Sequence, residues 1–106
     1  MPKYLLTANY TDTGIQGLVQ DGGTKRRAAV SKAIESLGGK VEAFYYGFGD
    51  NDAYVIFDAP DNVATAAVCL AVAASGAVMT STTVLLTPEE VDAAVKKTVD
   101  YQPPGS

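Results

Sequence analysis

The sequence contains no histidine and no tryptophan, and its 106 residues include a single cysteine, Cys69. Without histidine, Ser-His-Asp and Cys-His nucleophilic systems are excluded and the commonest general base is missing. Zinc sites in proteins draw mainly on cysteine and histidine, so we expect no metal and no cofactor. A lone cysteine forms no intrachain disulfide, which fits a reducing compartment, and Cys69 is expected to be an inert core thiol.

Basic residues are also scarce, with 8 Lys and Arg against 12 Asp and Glu and a net charge of -4. Nucleic acids and anionic membranes both attract basic surfaces, so we expect neither as a partner. The longest apolar stretch, residues 63–78, falls short of a membrane span, and the N-terminus lacks the pattern of a signal peptide. These features predict a cytoplasmic protein.

Apolar residues are plentiful, at 47% of the chain, which is enough to build a packed core in one domain of this length. Runs rich in β-branched and aromatic residues alternate with stretches of helical periodicity. Glycine, aspartate and asparagine at 49–52 predict a four-residue hairpin loop. We predict strands at 3–10, 41–48, 53–57 and 79–86.

Helix starts and stops are marked by capping residues and glycines. Four side chains that favour the N-cap mark the predicted starts: Thr11, Thr24, Asp61 and Thr87. Glycines at 22–23, 38–39 and 76 predict the breaks and ends. The first helical region should therefore be split, with Thr24 capping its stronger half. The last helix, with Pro88 at its first position, should reach about residue 99.

The resulting order is β-α-β-β-α-β with an appended C-terminal helix. Two βαβ units joined through a central hairpin form the α+β ferredoxin-like sandwich. We therefore predict a four-stranded antiparallel sheet in the order 4-1-3-2, with two helices on one face. Residues 1–99 should form the single domain and residues 100–106 a flexible tail.

The predicted strands carry apolar residues on both faces, as in Ala43-Phe44-Tyr45-Tyr46 and Val55-Ile56-Phe57. Two helices cover only one face of such a sheet, and a bare apolar face is too large a patch for a monomer. A second copy packed face to face is the simplest cover, so we expect a homodimer or higher homo-oligomer. Alternatively, the C-terminal helix folds back across the open face through Val91, Ala94 and Val95.

Two groups of residues are candidates for binding a small molecule. Aromatic side chains with polar tips suit either a ligand pocket or a dimer interface, and the candidates are Tyr10, Tyr45, Tyr46 and Tyr54, together with Asn9. Cations beside the amides at a helix N-terminus suit an anion or a solvated helix face, and the candidates are Lys25, Arg26 and Arg27.

The acidic turn before the third strand offers the only candidate for a catalytic group. Asp52, with Asp50, lies in the hairpin, where Asx-turn hydrogen bonds explain both residues. Asp52 serves as a base only if burial raises its pKa, which requires a cavity around the carboxylate. The glycines at 47 and 49 do not make a nucleotide-binding loop, because the third glycine is absent and a hairpin follows.

Several segments together resemble the GYD domain family across nearly the whole chain. They are Tyr4-Leu5-Leu6, Tyr10-Thr11-Asp12, Gly14-Ile15, Leu37-Gly38-Gly39-Lys40-Val41, Phe44-Tyr45, Ala59-Pro60-Asp61 and Thr87-Pro88-Glu89-Glu90. This sequence differs from the Gly-Tyr-Asp turn after which the family is named, because Asn51 occupies the tyrosine position. The resemblance implies a ferredoxin-like fold of the dimeric α/β-barrel type, but it does not imply any particular reaction.

Two hypotheses for function follow. The first is a non-enzymatic oligomer that binds a small molecule or a protein partner, in line with the missing catalytic groups. The second is a cofactor-independent dimeric α/β-barrel enzyme acting on an aromatic or apolar metabolite. In that enzyme Tyr45, Tyr46 or Tyr54 would position the substrate and Asp52 would act as the base.

Overall fold

The structure is a computed structural model that describes all 106 residues. Its elements follow the predicted order, with the first helical region divided in two. They are β1 (Lys3–Tyr10), α1 (Asp12–Asp21), α2 (Gly23–Ser36), β2 (Lys40–Tyr46), β3 (Ala53–Asp58), α3 (Asn62–Ala74), β4 (Val78–Leu85) and α4 (Pro88–Val95). No helix is long and apolar enough to cross a membrane.

The four strands form one antiparallel sheet in the order β2-β3-β1-β4. This order is the predicted 4-1-3-2 taken from the other edge, so the α+β ferredoxin-like prediction is confirmed. β2 and β4 are the two edges. The hairpin loop runs from 47 to 52, two residues longer than predicted, because β2 already ends at Tyr46. The amide of Gly47 donates to the carbonyl of Asp52 across its base at 2.9 Å.

The core lies between the helices and one face of the sheet. Alternate residues of the central strands point into it and are buried: Tyr4, Leu6 and Ala8 of β1, and Ala53, Val55 and Phe57 of β3. Ile34 of α2 and Val68 of α3 cover them from the helical side. The intervening residues of both strands face the opposite side, which we call the open face. Only 12 of the 106 residues are buried, so the core is small for the chain length.

The break between α1 and α2 is a glycine with a left-handed backbone. Gly22 has a φ of 83°, which favours glycine over any residue with a side chain. Thr11 caps α1 as predicted, its hydroxyl accepting from the amide of Gly14 at 3.2 Å. The prediction that Thr24 caps α2 was wrong, because α2 already begins at Gly23 and has no side-chain cap.

β2 contains a bulge that reverses its alternation. Val41 pairs with Phe57 and Phe44 pairs with Val55, so three positions on β2 match two on β3. Before the extra residue the odd-numbered side chain of Val41 faces the helices, and after it the even-numbered side chains do. Tyr46 consequently lies opposite buried Ala53, on the helix side of the sheet.

The remaining caps match their predictions, but the C-terminal helix does not fold back across the open face as the alternative to a second copy placed it. Asp61 caps α3 and Thr87 caps α4 in a full capping box. α4 ends at Val95 rather than near residue 99. All residues from 86 to 106 are exposed, so α4 does not fold back over the open face. The molecule is accordingly long, with principal extents of 56 × 33 × 22 Å.

Candidate functional site

A cleft lies where the end of β2 meets the joint between α1 and α2. Tyr46 divides it into two cavities of about 310 and 470 Å³ that share Gly23. We call the two together the Tyr46 cleft. Its walls are mainly aromatic and aliphatic: Phe44, Tyr45, Thr24 and Arg27 line one cavity, and Ile15, Leu18, Gly47, Phe48 and Asp52 line the other.

Tyr46 is fixed in this position from two sides. Its hydroxyl donates to the carbonyl of Gly23 at 2.9 Å, which ties β2 to the first turn of α2. Its ring packs against Phe44, with 5.2 Å between the ring centroids. A Cβ at Gly23 would lie 3.0 Å from the Tyr46 ring, so glycine at this position lets the ring lie close against α2. The side chain therefore forms a firm wall of the cleft.

The phenol of Tyr46 acts as a hydrogen-bond donor and not as a base. Partial burial raises its pKa above the ordinary value of 10.0, and the neighbouring phenol of Tyr10 raises it further. The charges of Arg26 and Arg27 lower it by smaller amounts. The hydroxyl is thus protonated throughout the physiological range, and its hydrogen is engaged by the carbonyl of Gly23.

The three predicted cations have separate surroundings. Lys25 forms an ion pair with Asp21 of the preceding turn, with 3.6 Å between its Nζ and Oδ1 of the aspartate. Arg27 lines the Tyr46 cleft, and half-buried Arg26 lies beside Tyr10 at the other side of α2. Neither arginine has an ion-pair partner. The positive charge of these two side chains is therefore available to an anionic group.

Asp52 joins the hairpin loop to the central strand. Its Oδ2 accepts from the backbone amide of Tyr10 at 2.9 Å, and its own amide donates to the carbonyl of Ala8 at 2.9 Å. The adjacent Asn51 accepts from the side-chain amide of Asn9 at 3.1 Å. The Asx-turn bonds predicted for Asp50 and Asp52 are not formed: the Asp52 carboxylate instead ties the loop to β1, and this bond occupies one of its two oxygens.

The five predicted pocket residues separate onto the two faces of the sheet. Tyr10 and Tyr46 lie on the helix side, while Asn9, Tyr45 and Tyr54 belong to the open face. Tyr45 lies directly opposite Tyr54 and is 71% exposed. At the far end of the same face, Lys3 bridges Asp58 at 2.9 Å and Glu42 at 3.2 Å. The open face therefore combines aromatic residues at one end with an ion-pair cluster at the other.

The space between the helices and the sheet is too small for a metabolite. Its cavity measures about 40 Å³ and is bounded by the core side chains together with Tyr10 and Arg26. On the helix side, the two cavities of the Tyr46 cleft are larger than this core cavity. Sequence patterns did not select Ile15, Leu18 or Phe48 as site residues. The sequence assigned Phe48 to the strand at 41–48, and only the earlier end of β2, at Tyr46, places this exposed side chain in the loop beside the cleft.

Comparison with known proteins identifies one family. The model of the GYD domain matches residues 4–95, which span all four strands and all four helices. Neither the search of curated proteins nor that of solved structures gave a match. The family match agrees with the resemblance in the sequence and with the observed topology. The chain belongs to the GYD domain family.

Proposed function

We propose that the protein is a non-enzymatic homo-oligomer of the cytoplasm that binds a small aromatic anion in the Tyr46 cleft. The observation that carries the proposal is the combination of an aromatic-walled cleft with Arg27, which has no ion-pair partner, among its lining residues. The two cavities, of about 310 and 470 Å³, fall at the lower end of the range typical of small-molecule sites.

The ligand class follows from the chemistry of the walls. Tyr46, Phe44 and Phe48 provide faces for an aromatic or other flat apolar group. Arg27 provides a planar cation, which suits a carboxylate or phosphate oxygen pair. No histidine is available and the Tyr46 phenol stays protonated, which favours binding over catalysis.

Oligomerisation is proposed from the open face. Leu5 and Ile56 lie at its centre, and Tyr45, Tyr54 and Met79 extend it outward with exposures of 71%, 36% and 66%. No element of the same chain covers these side chains. A second sheet packed against this face would remove them from water, which the hydrophobic effect favours.

The enzyme alternative places the ligand between two such open faces. It is favoured by the juxtaposition of Tyr45, Tyr54 and Asn9 on that side of the sheet. Tyr46 and Tyr54 therefore separate the two hypotheses, since they lie on opposite faces and only Tyr46 lines the cleft.

The experiment is calorimetric titration of the full chain with 2-naphthoate and with the neutral 2-naphthalenemethanol. We expect saturable binding of the carboxylate and at least about tenfold weaker binding of the alcohol, equivalent to ~1.4 kcal/mol. Tyr46→Leu and Arg27→Gln should each weaken naphthoate binding by a similar factor, while the control Tyr54→Leu should leave it unchanged. No binding by the wild type, or a loss only in Tyr54→Leu, would overturn the proposal.

A further inference from the structure

The last 21 residues of the chain form an exposed C-terminal arm, residues 86–106, that contributes nothing to the core of its own protomer. Within it α4 carries an apolar stripe of Val91, Ala94 and Val95, at the i, i+3, i+4 spacing of one helix face. Val91 and Val95 are 45% and 76% exposed. Acidic side chains of Glu89 and Asp92 lie away from that stripe.

An isolated α4 is too short to be stable. Helices below about 12–15 residues are marginal in water because nucleation is costly, and α4 has only 8 residues. The capping box of Thr87 and Glu90 favours its start, with bonds of 3.0 and 3.1 Å, but it leaves the apolar stripe in water. Only Leu86 and Thr87 link α4 to β4, and every residue of the arm is exposed, so no surface of its own protomer covers it. Stability of the helix therefore requires a surface outside its own protomer.

A matching surface exists on the outer side of α3. This helix contains no charged residue, and Val63 and Leu70 are 78% and 70% exposed. Between α3 and edge strand β4 lies a groove of about 270 Å³, which we call the α3–β4 groove. It is lined by Tyr4, Asn62, Thr65, Ala66, Cys69, Thr82 and Val84. An apolar helix face can enter it without burying an opposing charge.

The exposed area is too large for a monomer of this mass. The chain exposes 7289 Å², whereas a folded monomer of 11.0 kDa is expected to expose about 5,600 Å². The excess of about 1,700 Å² per chain exceeds the ~800 Å² that each partner buries in a standard protein interface. It is therefore large enough for an exchanged arm in addition to a sheet-to-sheet contact.

We propose that the C-terminal arm docks on a second copy of the chain, with the apolar stripe of α4 in the partner's α3–β4 groove. The exchange is reciprocal in a symmetric dimer, so both arms and both grooves are filled. It places Val91 and Val95 against an uncharged surface and leaves Glu89 and Asp92 in solvent. This contact is separate from the Tyr46 cleft and does not depend on a ligand.

The single native cysteine provides the test, because Cys69 lines the groove and no other thiol is present. We would introduce Val91→Cys or Val95→Cys into the full chain and oxidise it under mild conditions. At least one of these variants should form a disulfide-linked species of twice the monomer mass on non-reducing gels. The control Ala93→Cys, on the opposite side of α4, should give at least about tenfold less of this species.

A second control separates the groove from other contacts. Adding Cys69→Ser to the crosslinking variant should abolish the linked dimer, since the proposed bond joins the arm to the partner's Cys69. Persistence of the dimer in that background, an intrachain disulfide at monomer mass, or no crosslink from either valine position would overturn the proposal. Each of these outcomes is independent of naphthoate binding, so the two proposals fail separately.

Discussion

Two glycines in the same helix should respond to alanine with opposite signs. In α1, a Cβ on Gly14 would overlap the carbonyl oxygen of Ala77, well inside van der Waals contact. That oxygen also accepts from the amide of Thr11 at 2.9 Å, so the alanine would push apart a hydrogen-bonded junction. A Cβ on Gly17, one turn later, would have no atom within 4 Å apart from the backbone of its own helix.

The magnitudes follow from these distances. Overpacking costs about 1–3 kcal/mol, and the alanine at Gly14 also weakens a hydrogen bond of about 1 kcal/mol. Its helix-propensity gain of at most about 1 kcal/mol offsets part of this cost. We therefore expect Gly14→Ala to lower the free energy of unfolding by about 1–3 kcal/mol. Gly17→Ala should raise it by about 0.5–1 kcal/mol, because only the propensity gain applies.

Thermal unfolding followed by circular dichroism, at one fixed protein concentration, measures both effects. For a domain of this size a change of 1 kcal/mol shifts Tm by roughly 4–8 °C. Gly14→Ala should therefore unfold at least about 4 °C below the wild type, and Gly17→Ala a few degrees above it. A Gly14→Ala protein as stable as the wild type would refute the close approach of α1 to the loop before β4.

Two further predictions concern charge and capping. Hydrogen bonds to Asp58 and then Glu42 raise the pKa of Lys3 above 10.5, and burial raises that of Tyr46 above 10.0. Both groups therefore hold their protons more tightly in the folded protein than in the unfolded chain. Their contribution to the free energy of unfolding is complete below those values and is lost as pH rises through the folded pKa. Urea denaturation at about pH 8 and 11 should show a smaller alkaline loss of stability in Lys3→Met and in Tyr46→Phe than in the wild type, and equal losses in all three proteins would contradict this assignment. The carboxylate of Asp61 accepts from the amide of Ala64 at 2.8 Å, so Asp61→Ala should cost about 1 kcal/mol in the same assay, with Asp61→Asn near the wild type.

The fold was predictable because its signals are local. Thr11, Asp61 and Thr87 each place a hydrogen-bonding side chain directly before a helical pattern, and each is the observed N-cap. Gly38 and Gly76 take positive φ at helix ends, as glycine stops do. Thr24 was misassigned because Gly22 already turns the chain, and the helix begins before a side-chain cap is needed.

The candidate site was less predictable because it depends on which face each tyrosine occupies. Alternation along β2 without an interruption would place Tyr45 on the helix side and Tyr46 on the open face. The bulge between Val41 and Ala43 reverses this arrangement, and no residue type in β2 predicts a bulge at that point. The exposure of the C-terminal arm was equally unpredictable from the sequence. The spacing of Val91 and Val95 predicts an apolar contact but does not indicate whether the same chain or another one provides it.

The bulge in β2 also has a consequence for how such a domain can change. β2 is an edge strand, so one residue can be added or removed there while the rest of the sheet keeps its pairing. Glu42 is the residue with no partner on β3, so deleting it would keep the other β2–β3 pairs and leave Tyr45 and Tyr46 on their present faces. The bulge therefore lets β2 change in length by one residue while the lining of the cleft and of the outer surface stays the same.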